Sequence, residues 1–301
     1  MTKLSLTELA ELKANGQPIV MVTAYDYPTA RLADAAGIDI VLVGDSAAMT
    51  VLGHDSTVPV TLDELLVLAG AVARGAKRPI VVGDLPFGSY QVSDEDAVRS
   101  SLRFVKEAGM DAVKLEGAGP SVERAAAIVG AGIPVMGHVG LTPQSATMLG
   151  GYRAQGRTAD KARRLLDDAL ALEDAGCFSI VLEAVPAAVA EHVTDALAVP
   201  TIGIGSGLAC DGQVLVLHDL IGLYDGRPAR FVKRYAEVGD TIRDALERFA
   251  ADVRAGAFPE EEHTYSIPGE ELAAFERGLA PDARDWPTRT VPLVSGRSPV
   301  A

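Results

Sequence analysis

Eight short apolar segments recur along the chain, and this repeat limits the fold more than any other feature of the sequence. They follow one another at roughly 28 residues, close to the length of a strand–helix unit of about 30 residues. Helical patterns such as TLDELLVLAGAVARG and TADKARRLLDDALALEDAG lie between them. The segments are PIVMVTA (18–24), IDIVLVGD (38–45), RPIVVGDLP (78–86), MDAVKLEG (110–117), IPVMGHVG (133–140), FSIVLEAVP (178–186), VPTIGIGSG (199–207) and GQVLVLHD (212–219).

The near-continuous apolar character of these segments predicts parallel strands that helices cover on both faces. A repeat of this number favours a closed (βα)8 TIM barrel over an open doubly wound sheet. The open sheet is the alternative, and it loses weight because no GxGxxG follows the first strand. We expect the barrel domain to span residues 1–258, with an amphipathic N-terminal helix in MTKLSLTELAELKANG and a long helix over 229–256 that could close the barrel. Residues 259–301, rich in Pro, Gly and charge, are expected to form a C-terminal tail that is surface-packed or partly mobile.

Charge and hydropathy exclude several classes of partner. The net charge of −14 argues against nucleic acid and anionic membranes. No apolar run is long enough to span a bilayer. The N-terminal segment lacks the apolar core of a signal peptide, so we expect a cytoplasmic protein. Cys177 and Cys210 show no metal-binding spacing and are interpreted as packed thiols.

Polar residues stand at the predicted C-terminal ends of six strands, which is where TIM barrels carry their chemistry. Taken singly, each has a structural explanation as a helix cap, an ion pair or a packed histidine. Their shared position in the barrel favours an active site instead. The residues are Asp45 and Ser46, Asp84, Lys114 and Glu116, His138, Glu183, and the GIGSG loop at 203–207.

The charges in this set predict a divalent metal ion. Four carboxylates, those of residues 45, 84, 116 and 183, would converge on one cavity against the single cation of Lys114. Like charges in a poorly hydrated place raise one another's pKa or require a cation. Oxygen ligands favour Mg2+, or Mn2+, over zinc. Because Mg2+ uses one or two carboxylates, not every acid need be a ligand. Glu116 would help to hold the metal, and Lys114 would face an anionic substrate group.

The sequence resembles the ketopantoate hydroxymethyltransferase family over roughly residues 3–265. The matching stretches occur in the family's order, and together they are far more specific than any one alone. The tail beyond about residue 270 has no counterpart in that pattern. The stretches are VTAYDYPTARLADAAGIDIVLVGDSAAMTVLGHDSTVPVTLDE, VVGDLPFGSY, AVKLEG, PVMGHVGLTPQS, IVLEAVP, TIGIGSG, CDGQVLVLHDLIGL and RFVKRY.

The resemblance implies a barrel of the phosphoenolpyruvate/pyruvate superfamily type and a specific reaction. A hydroxymethyl group would pass from 5,10-methylenetetrahydrofolate to 3-methyl-2-oxobutanoate through a Mg2+-stabilised enolate. The product would be ketopantoate (2-dehydropantoate), made in the first committed step of pantothenate biosynthesis. The resemblance also implies a homo-oligomer, a decamer.

The resemblance further assigns roles to individual residues. Glu183 would be the general base. Mg2+ would be bound through Asp45, Asp84 and, directly or through water, Glu116. His138 would lie near the new hydroxymethyl group, and Ser46 and Lys114 would contact the 2-oxo acid. The residues implied to bind substrate are Asp45, Ser46, Asp84, Lys114 and His138.

Three alternatives stay open from the sequence. A carbon–carbon or carbon–phosphorus lyase acting on a 2-oxo acid would share the metal and the enolate but not the dependence on folate. A phosphosugar-binding barrel would use the 203–207 loop as a phosphate nest. A scaffold protein would have no use for the clustered acids. The sequence does not indicate the position of the folate site.

Overall fold

Eight parallel strands close into a barrel in the computed structural model, which describes residues 2–224, 226 and 228–279. Each strand pairs with the next in the chain, and β8 pairs with β1. All eight predicted strands are confirmed, and each is shorter than the apolar segment that predicted it. The strands are β1 (Ile19–Thr23), β2 (Ile40–Val43), β3 (Ile80–Asp84), β4 (Ala112–Lys114), β5 (Val135–Gly140), β6 (Ser179–Glu183), β7 (Thr201–Ile204) and β8 (Gly212–Leu215).

Helices separate the strands and begin where side chains can satisfy their free N–H groups. Ser93 caps one helix by accepting a hydrogen bond from the backbone N–H of Asp96. Thr61 and Glu64 form a reciprocal capping box at the start of another helix. The helices are α1 (Leu6–Ala14), α2 (Tyr27–Ala35), α3 (Ala47–Thr50), α4 (Leu62–Gly75), α5 (Asp94–Arg103), α6 (Pro120–Gly130), α7 (Ala146–Leu149), α8 (Ala159–Asp174), α9 (Ala187–Ala196), α10 (Leu217–Leu220), α11 (Val238–Ala255) and α12 (Gly269–Gly278).

The strands separate two apolar cores because successive side chains point to opposite faces. Met21 and its inward-facing counterparts on the other strands fill the barrel interior, whereas Val22 and its counterparts pack beneath the helices. Leu9 of α1 is fully buried against the interior cluster, together with Ile19 and Ile40 at the start of their strands. The N-terminal helix therefore closes the N-terminal end of the barrel, and the open end is the one at which the strands finish.

The barrel belongs to a compact unit that extends to Thr241, and residues from Ile242 onward form a second unit. In the second unit, the Phe258 ring lies 5.6 Å from that of Phe249 and 5.2 Å from that of His263, measured between centroids. The helix predicted over 229–256 is helical only over Val238–Ala255, so the prediction was wrong for the part before Val238. The predicted domain boundary after residue 258 stays a prediction, and residues 280–301 of the predicted tail lie outside the described residues. No helix in the described part of the chain has both the length and the apolarity that crossing a membrane requires.

Candidate active site

A cavity of about 940 Å³ opens at the C-terminal end of the barrel. Its wall is built by residues at the C-terminal ends of the strands and directly after them, as in other TIM barrels. The structure brings every site residue predicted from the sequence into this one cavity. They are Asp45, Ser46, Asp84, Lys114, Glu116, His138 and Glu183.

Lys114 is held in the cavity floor by two carboxylates. Strand pairing places it directly beside Asp84, and its Nζ lies 2.6 Å from Asp84 Oδ1 and 3.8 Å from Glu116 Oε1. The Lys114 and Asp84 side chains are only 5% and 2% exposed. Burial alone would lower the pKa of Lys114, but Asp84, Glu116 and Asp45 raise it above its ordinary value. Lys114 therefore stays a cation, and its ammonium group and the Glu116 carboxylate lie on the same side of the strand.

Asp45 and Asp84 carry more negative charge than the cavity floor balances. The Asp45 backbone N–H donates to Asp84 Oδ2 at 3.1 Å, so the two carboxyl groups are neighbours. Burial, followed by repulsion from Asp84 and Glu116, raises the pKa of Asp45 well above its ordinary value. Burial also raises the pKa of Asp84, although Lys114 opposes this. A proton or a cation at this point would relieve the repulsion.

His138 lies between two carboxylates. Its Nδ1 is 3.5 Å from Glu116 Oε1 and its Nε2 is 3.3 Å from Glu183 Oε2. These are ion-pair distances, yet neither buried ring nitrogen makes a well-directed hydrogen bond. Burial alone would lower the pKa of His138, but the two glutamates raise it to about 9. At neutral pH the ring is therefore an imidazolium with N–H donors that a ligand can still engage.

Glu116 differs from the two aspartates because it faces cations. Burial alone would raise its pKa, but His138 and Lys114 outweigh burial and bring the pKa below the ordinary value. Its second oxygen, Oε2, accepts the backbone N–H of Gln144 at 3.0 Å. Glu116 is thus charged and already well supplied with donors.

A neutral hydrogen-bond chain that sequence reasoning missed holds these acids in place. Gln144 Nε2 donates to Asp45 Oδ2 and to the Leu85 carbonyl, both at 3.0 Å. The Tyr90 hydroxyl donates to Gln144 Oε1 at 2.8 Å and accepts the Glu116 N–H at 3.2 Å. Because Tyr90 donates to one end of the amide and acceptors occupy the other, the orientation of Gln144 is fixed.

The position of these residues in the sequence could have revealed them. Tyr90 follows β3, Gln144 follows β5, and Tyr25, whose hydroxyl lies 2.7 Å from Ser46 Oγ, follows β1. They occupy the same topological position as the charged residues. Charged residues and histidine at the strand ends stand out in the sequence, whereas neutral donors such as Tyr90 and Gln144 do not.

The backbone beside Glu183 is under strain. Ala184 has a φ of 51°, a left-handed conformation that costs a residue with a Cβ about 1–2 kcal/mol. Its N–H donates to the Ile204 carbonyl at 2.8 Å, and its own carbonyl accepts the Gln155 N–H at 3.0 Å. Gly140 approaches the Glu183 carbonyl so closely that a Cβ there would collide with it. Neighbouring backbone on both sides therefore fixes the direction of Glu183.

The donor set of the cavity floor fits Mg2+. In the described part of the chain, no three acidic, histidine or cysteine side chains are placed so that they could hold a metal ion by themselves. Mg2+ does not need three, because it usually takes one or two carboxylates and completes its shell with water and substrate oxygens. Both Asp84 oxygens have partners, whereas Oδ1 of Asp45 has no hydrogen-bond donor among the described residues. The raised pKa of both aspartates is the other sign that a cation fits here.

Comparison of the sequence with known proteins gives one consistent result. The family model described as ketopantoate hydroxymethyltransferase matches residues 3–261. The 3-methyl-2-oxobutanoate hydroxymethyltransferase of Carboxydothermus hydrogenoformans is 53% identical over 272 residues, which cover 90% of this chain and 99% of that protein. The mitochondrial 3-methyl-2-oxobutanoate hydroxymethyltransferase 1 of Oryza sativa subsp. japonica is 52% identical over 284 residues, covering 92% and 78% of the two chains.

Comparison with solved structures supports the fold. A phosphonopyruvate hydrolase in complex with oxalate and Mg2+ superposes with a TM-score of 0.57 at 14% identity, covering 95% of this chain and 99% of that one. A 2,3-dimethylmalate lyase, a PEP mutase/isocitrate lyase superfamily member, gives 0.56 at 16% identity, covering 90% and 98%. At these identities the similarity concerns the fold alone, and it confirms the barrel type predicted from the sequence.

Proposed function

The chain belongs to the ketopantoate hydroxymethyltransferase family, and from this premise we propose that it transfers a hydroxymethyl group from 5,10-methylenetetrahydrofolate to 3-methyl-2-oxobutanoate. The family predicted from the sequence is thus confirmed, and the chain is a transferase of the pantothenate pathway. The observation that carries the proposal is the arrangement of charges in the cavity. Buried cations stand beside a partly exposed carboxylate, as enolate chemistry on a 2-oxo acid requires.

Glu183 is the group best placed to remove the C3 proton. Its side chain is 15% exposed and lines the cavity, whereas those of Asp84 and Glu116 are 2% exposed. The ion-pair partners of Lys114 are Asp84 and Glu116 instead. His138 orients Glu183. A positioned base contributes about 10²- to 10⁴-fold to the rate.

Electron pairs and protons balance over the proposed reaction. Glu183 takes the proton from C3, and the electron pair of that bond moves into the enolate, whose charge develops on the keto oxygen near Lys114. The C3 carbon then bonds to the one-carbon unit of the folate, present as an iminium, whose π electrons move to nitrogen. Water then forms a C–O bond to that carbon as the C–N bond to the folate breaks, and the departing nitrogen takes a proton from the water. The proton removed from C3 balances the one taken up by the other folate nitrogen when the iminium formed, and the products are ketopantoate and tetrahydrofolate. Ser46 and His138 supply hydrogen bonds to the oxygens of the substrate and product.

The fit of the cavity floor supports Mg2+ as the cofactor. Asp45 and Asp84 would hold the ion, and Glu116 would reach it through water because both of its oxygens already face donors. When bound, Mg2+ supplies Lewis-acid polarisation of the keto oxygen. The similar barrel of phosphonopyruvate hydrolase, solved with oxalate and Mg2+, adds support for this choice of ion.

Proton exchange at C3 tests the proposal. Wild-type protein with Mg2+ in D2O should replace the C3 proton of 3-methyl-2-oxobutanoate with deuterium, as NMR would record, and methylenetetrahydrofolate should then yield ketopantoate. Glu183→Gln should lose the exchange while its Mg2+ affinity, measured by calorimetry, stays unchanged. Glu191→Gln, at an exposed position on α9, is the matched control and should exchange normally. Normal exchange in Glu183→Gln would exclude Glu183 as the base.

The competing functions find less support. A lyase would act on a 2-oxo acid without folate, so the same assay with and without the folate donor separates the two. The phosphate-nest interpretation of the 203–207 loop is weakened because the Phe231 ring packs against Gly205. The decameric assembly and the cytoplasmic location stay predictions, which light scattering and cell fractionation would test.

A further inference from the structure

The cavity is larger than its charged floor. A volume of about 940 Å³ lies near the upper end for small-molecule sites, and a small branched 2-oxo acid fills only a minor part of it. The charged floor lies over β2–β6. The rest of the cavity extends over β6–β8 and the loops that follow β5 and β8; we call this part the outer half. The residues of the outer half that matter here are Tyr152, Arg153, Arg157, Asp219, Arg230 and Phe231.

Three arginines give the outer half a positive charge. Arg153, Arg157 and Arg230 are exposed. None of the three forms an ion pair with another residue in the part of the chain that the structure describes. In a chain of net charge −14, three unpaired guanidinium groups around one cavity form a local field opposite in sign to the acidic floor. Guanidinium groups bind carboxylates through paired N–H donors, so this rim favours a ligand with carboxylate groups.

Aromatic rings line the same half. Gly205 has a φ of 67°, and a Cβ there would overlap the Phe231 ring, so the glycine lets that ring lie directly on the loop after β7. Tyr152 is 54% exposed and lines the cavity, so its ring is available to a ligand. Burial and then the carboxylates of Asp45, Glu116 and Glu183 raise its pKa. Tyr152 therefore stands close to the acidic floor, at the junction of the two halves.

One carboxylate, that of Asp219, also lines the outer half. It is half-buried, and burial raises its pKa above the ordinary value, although Arg234 opposes this. When ionised, its two oxygens can accept hydrogen bonds from a ligand edge that carries two neighbouring N–H donors. The outer half thus offers an acceptor, flat apolar rings and a basic rim.

We propose that the outer half is the binding site of the folate co-substrate. Asp219 accepts from the N3–H and 2-amino groups of the pterin, and Tyr152 and Phe231 contact the flat rings. Arg153, Arg157 and Arg230 bind the carboxylates of the glutamate tail. The acidic floor repels those carboxylates and the basic rim attracts them, so the tail points outwards and the one-carbon unit faces Glu183. This assignment rests on the proposed function and gives the 203–207 loop its role.

Arginine substitution separates binding of the folate from activation of the oxo acid. We expect Arg153→Gln, Arg157→Gln and Arg230→Gln each to raise the KM for methylenetetrahydrofolate triglutamate about fivefold, and the triple variant to raise it about a hundredfold. The effect should be smaller for the monoglutamate, which carries fewer carboxylates. The folate-independent exchange of the C3 proton should stay within about twofold of wild type in all of them. Arg31→Gln, an exposed arginine on α2, is the matched control.

Ring substitutions test the aromatic contacts. Tyr152→Ala should raise the KM for the folate about fivefold, whereas Tyr152→Phe, which keeps the ring, should leave it within about twofold. Asp219→Asn should weaken binding of tetrahydrofolate, measured by calorimetry, about tenfold. Thermal melting of each variant controls for folding.

Two outcomes would overturn the assignment. One is a triple arginine variant with wild-type KM for the triglutamate. The other is an equal loss of folate binding and of C3 exchange, which would indicate a general disturbance of the site. If wild-type protein neither exchanged the C3 proton nor made ketopantoate, the proposed function would fail. Calorimetry with tetrahydrofolate triglutamate would still decide the subsite, because binding by wild type and its loss in the triple variant do not depend on turnover.

Discussion

The two halves of the cavity differ in how their charged side chains are held. On the floor, Lys114, Asp84 and Glu116 are almost fully buried, and each is held by a partner in the chain itself. In the outer half, three arginines are exposed and have no ion-pair partner among the described residues: Arg153, Arg157 and Arg230. The floor is therefore organised by contacts within the chain, whereas the guanidinium groups of the outer half remain available to a ligand. Substitutions on the floor should cost stability and chemistry together, and substitutions in the outer half should cost binding alone.

The largest effect is expected at Lys114. Lys114→Met removes the only lysine on the floor and leaves the buried carboxylates of Asp84 and Glu116 without it. Loss of one partner of a buried pair costs about 3–5 kcal/mol. Urea denaturation should show this loss of unfolding free energy, together with loss of activity. Lys161→Met, at an exposed position on α8, should change it by less than about 0.5 kcal/mol. Equal stability of the two variants would contradict the contrast between the halves.

A nearly isosteric change at Gln144 comes next. Gln144→Glu replaces the N–H donor that faces Asp45 Oδ2 and the Leu85 carbonyl with an acceptor. The expected cost is about 1–3 kcal/mol of unfolding free energy, with a lower kcat and weaker Mg2+ binding by calorimetry. Gln91→Glu is the control, because Gln91 uses only its acceptor oxygen, towards the Gly88 N–H. Unchanged Mg2+ affinity in Gln144→Glu would show that the chain from Tyr90 does not position Asp45.

Two histidines sharpen the comparison through pH. The raised pKa of His138, about 9, means that folding favours its protonated form. The contribution of His138 to the free energy of unfolding is complete below the unfolded pKa of about 6.5, and it is lost as the pH rises through about 9. His218 lies on α10, after β8, and the centroid of its ring is 5.3 Å from that of Tyr25. Burial lowers the pKa of His218. Its contribution to the free energy of unfolding is therefore complete above about pH 6.5, and it is lost as the pH falls through the lowered pKa.

Denaturation of metal-free protein across this pH range measures both effects. His138→Gln should flatten the fall in stability on the alkaline side, and His218→Gln should flatten the fall on the acid side. The two slopes should change independently, because the rings lie in different surroundings. A single variant that removed both slopes would count against the assignment.

The smallest effect on stability is expected at Arg157. Arg157→Gln should change the free energy of unfolding by less than about 0.5 kcal/mol, because the side chain is exposed and unpaired among the described residues. Thermal melting would record it. A loss comparable to that of Lys114→Met would mean that the outer half, too, is part of the structural framework.

The sequence predicted the barrel well because its repeat is long and regular. The errors lie at the strand ends: the last predicted segment, 212–219, is strand only over Gly212–Leu215, and α10 begins at Leu217. Apolar residues continue across that boundary, so hydropathy alone does not reveal where extended backbone becomes helical.

The site was predictable where charge marks it and hidden elsewhere. Acidic and basic residues at the strand ends stand out against apolar strands. The hydrogen bonds of Tyr90 and Gln144 depend on which neutral side chains face inward, and the Lys114–Asp84 pair depends on strand register. The outer half lies on loops after β5 and β8, whose path no periodicity encodes.

Ala184 has a consequence for engineering. Its left-handed backbone conformation, directly after Glu183, is one that glycine adopts without steric strain. Ala184→Gly would relieve the backbone strain in this turn, and it would also leave the orientation of the Glu183 carboxylate less fixed. A laboratory screen for heat tolerance should therefore favour glycine at position 184, whereas a screen for turnover should favour alanine.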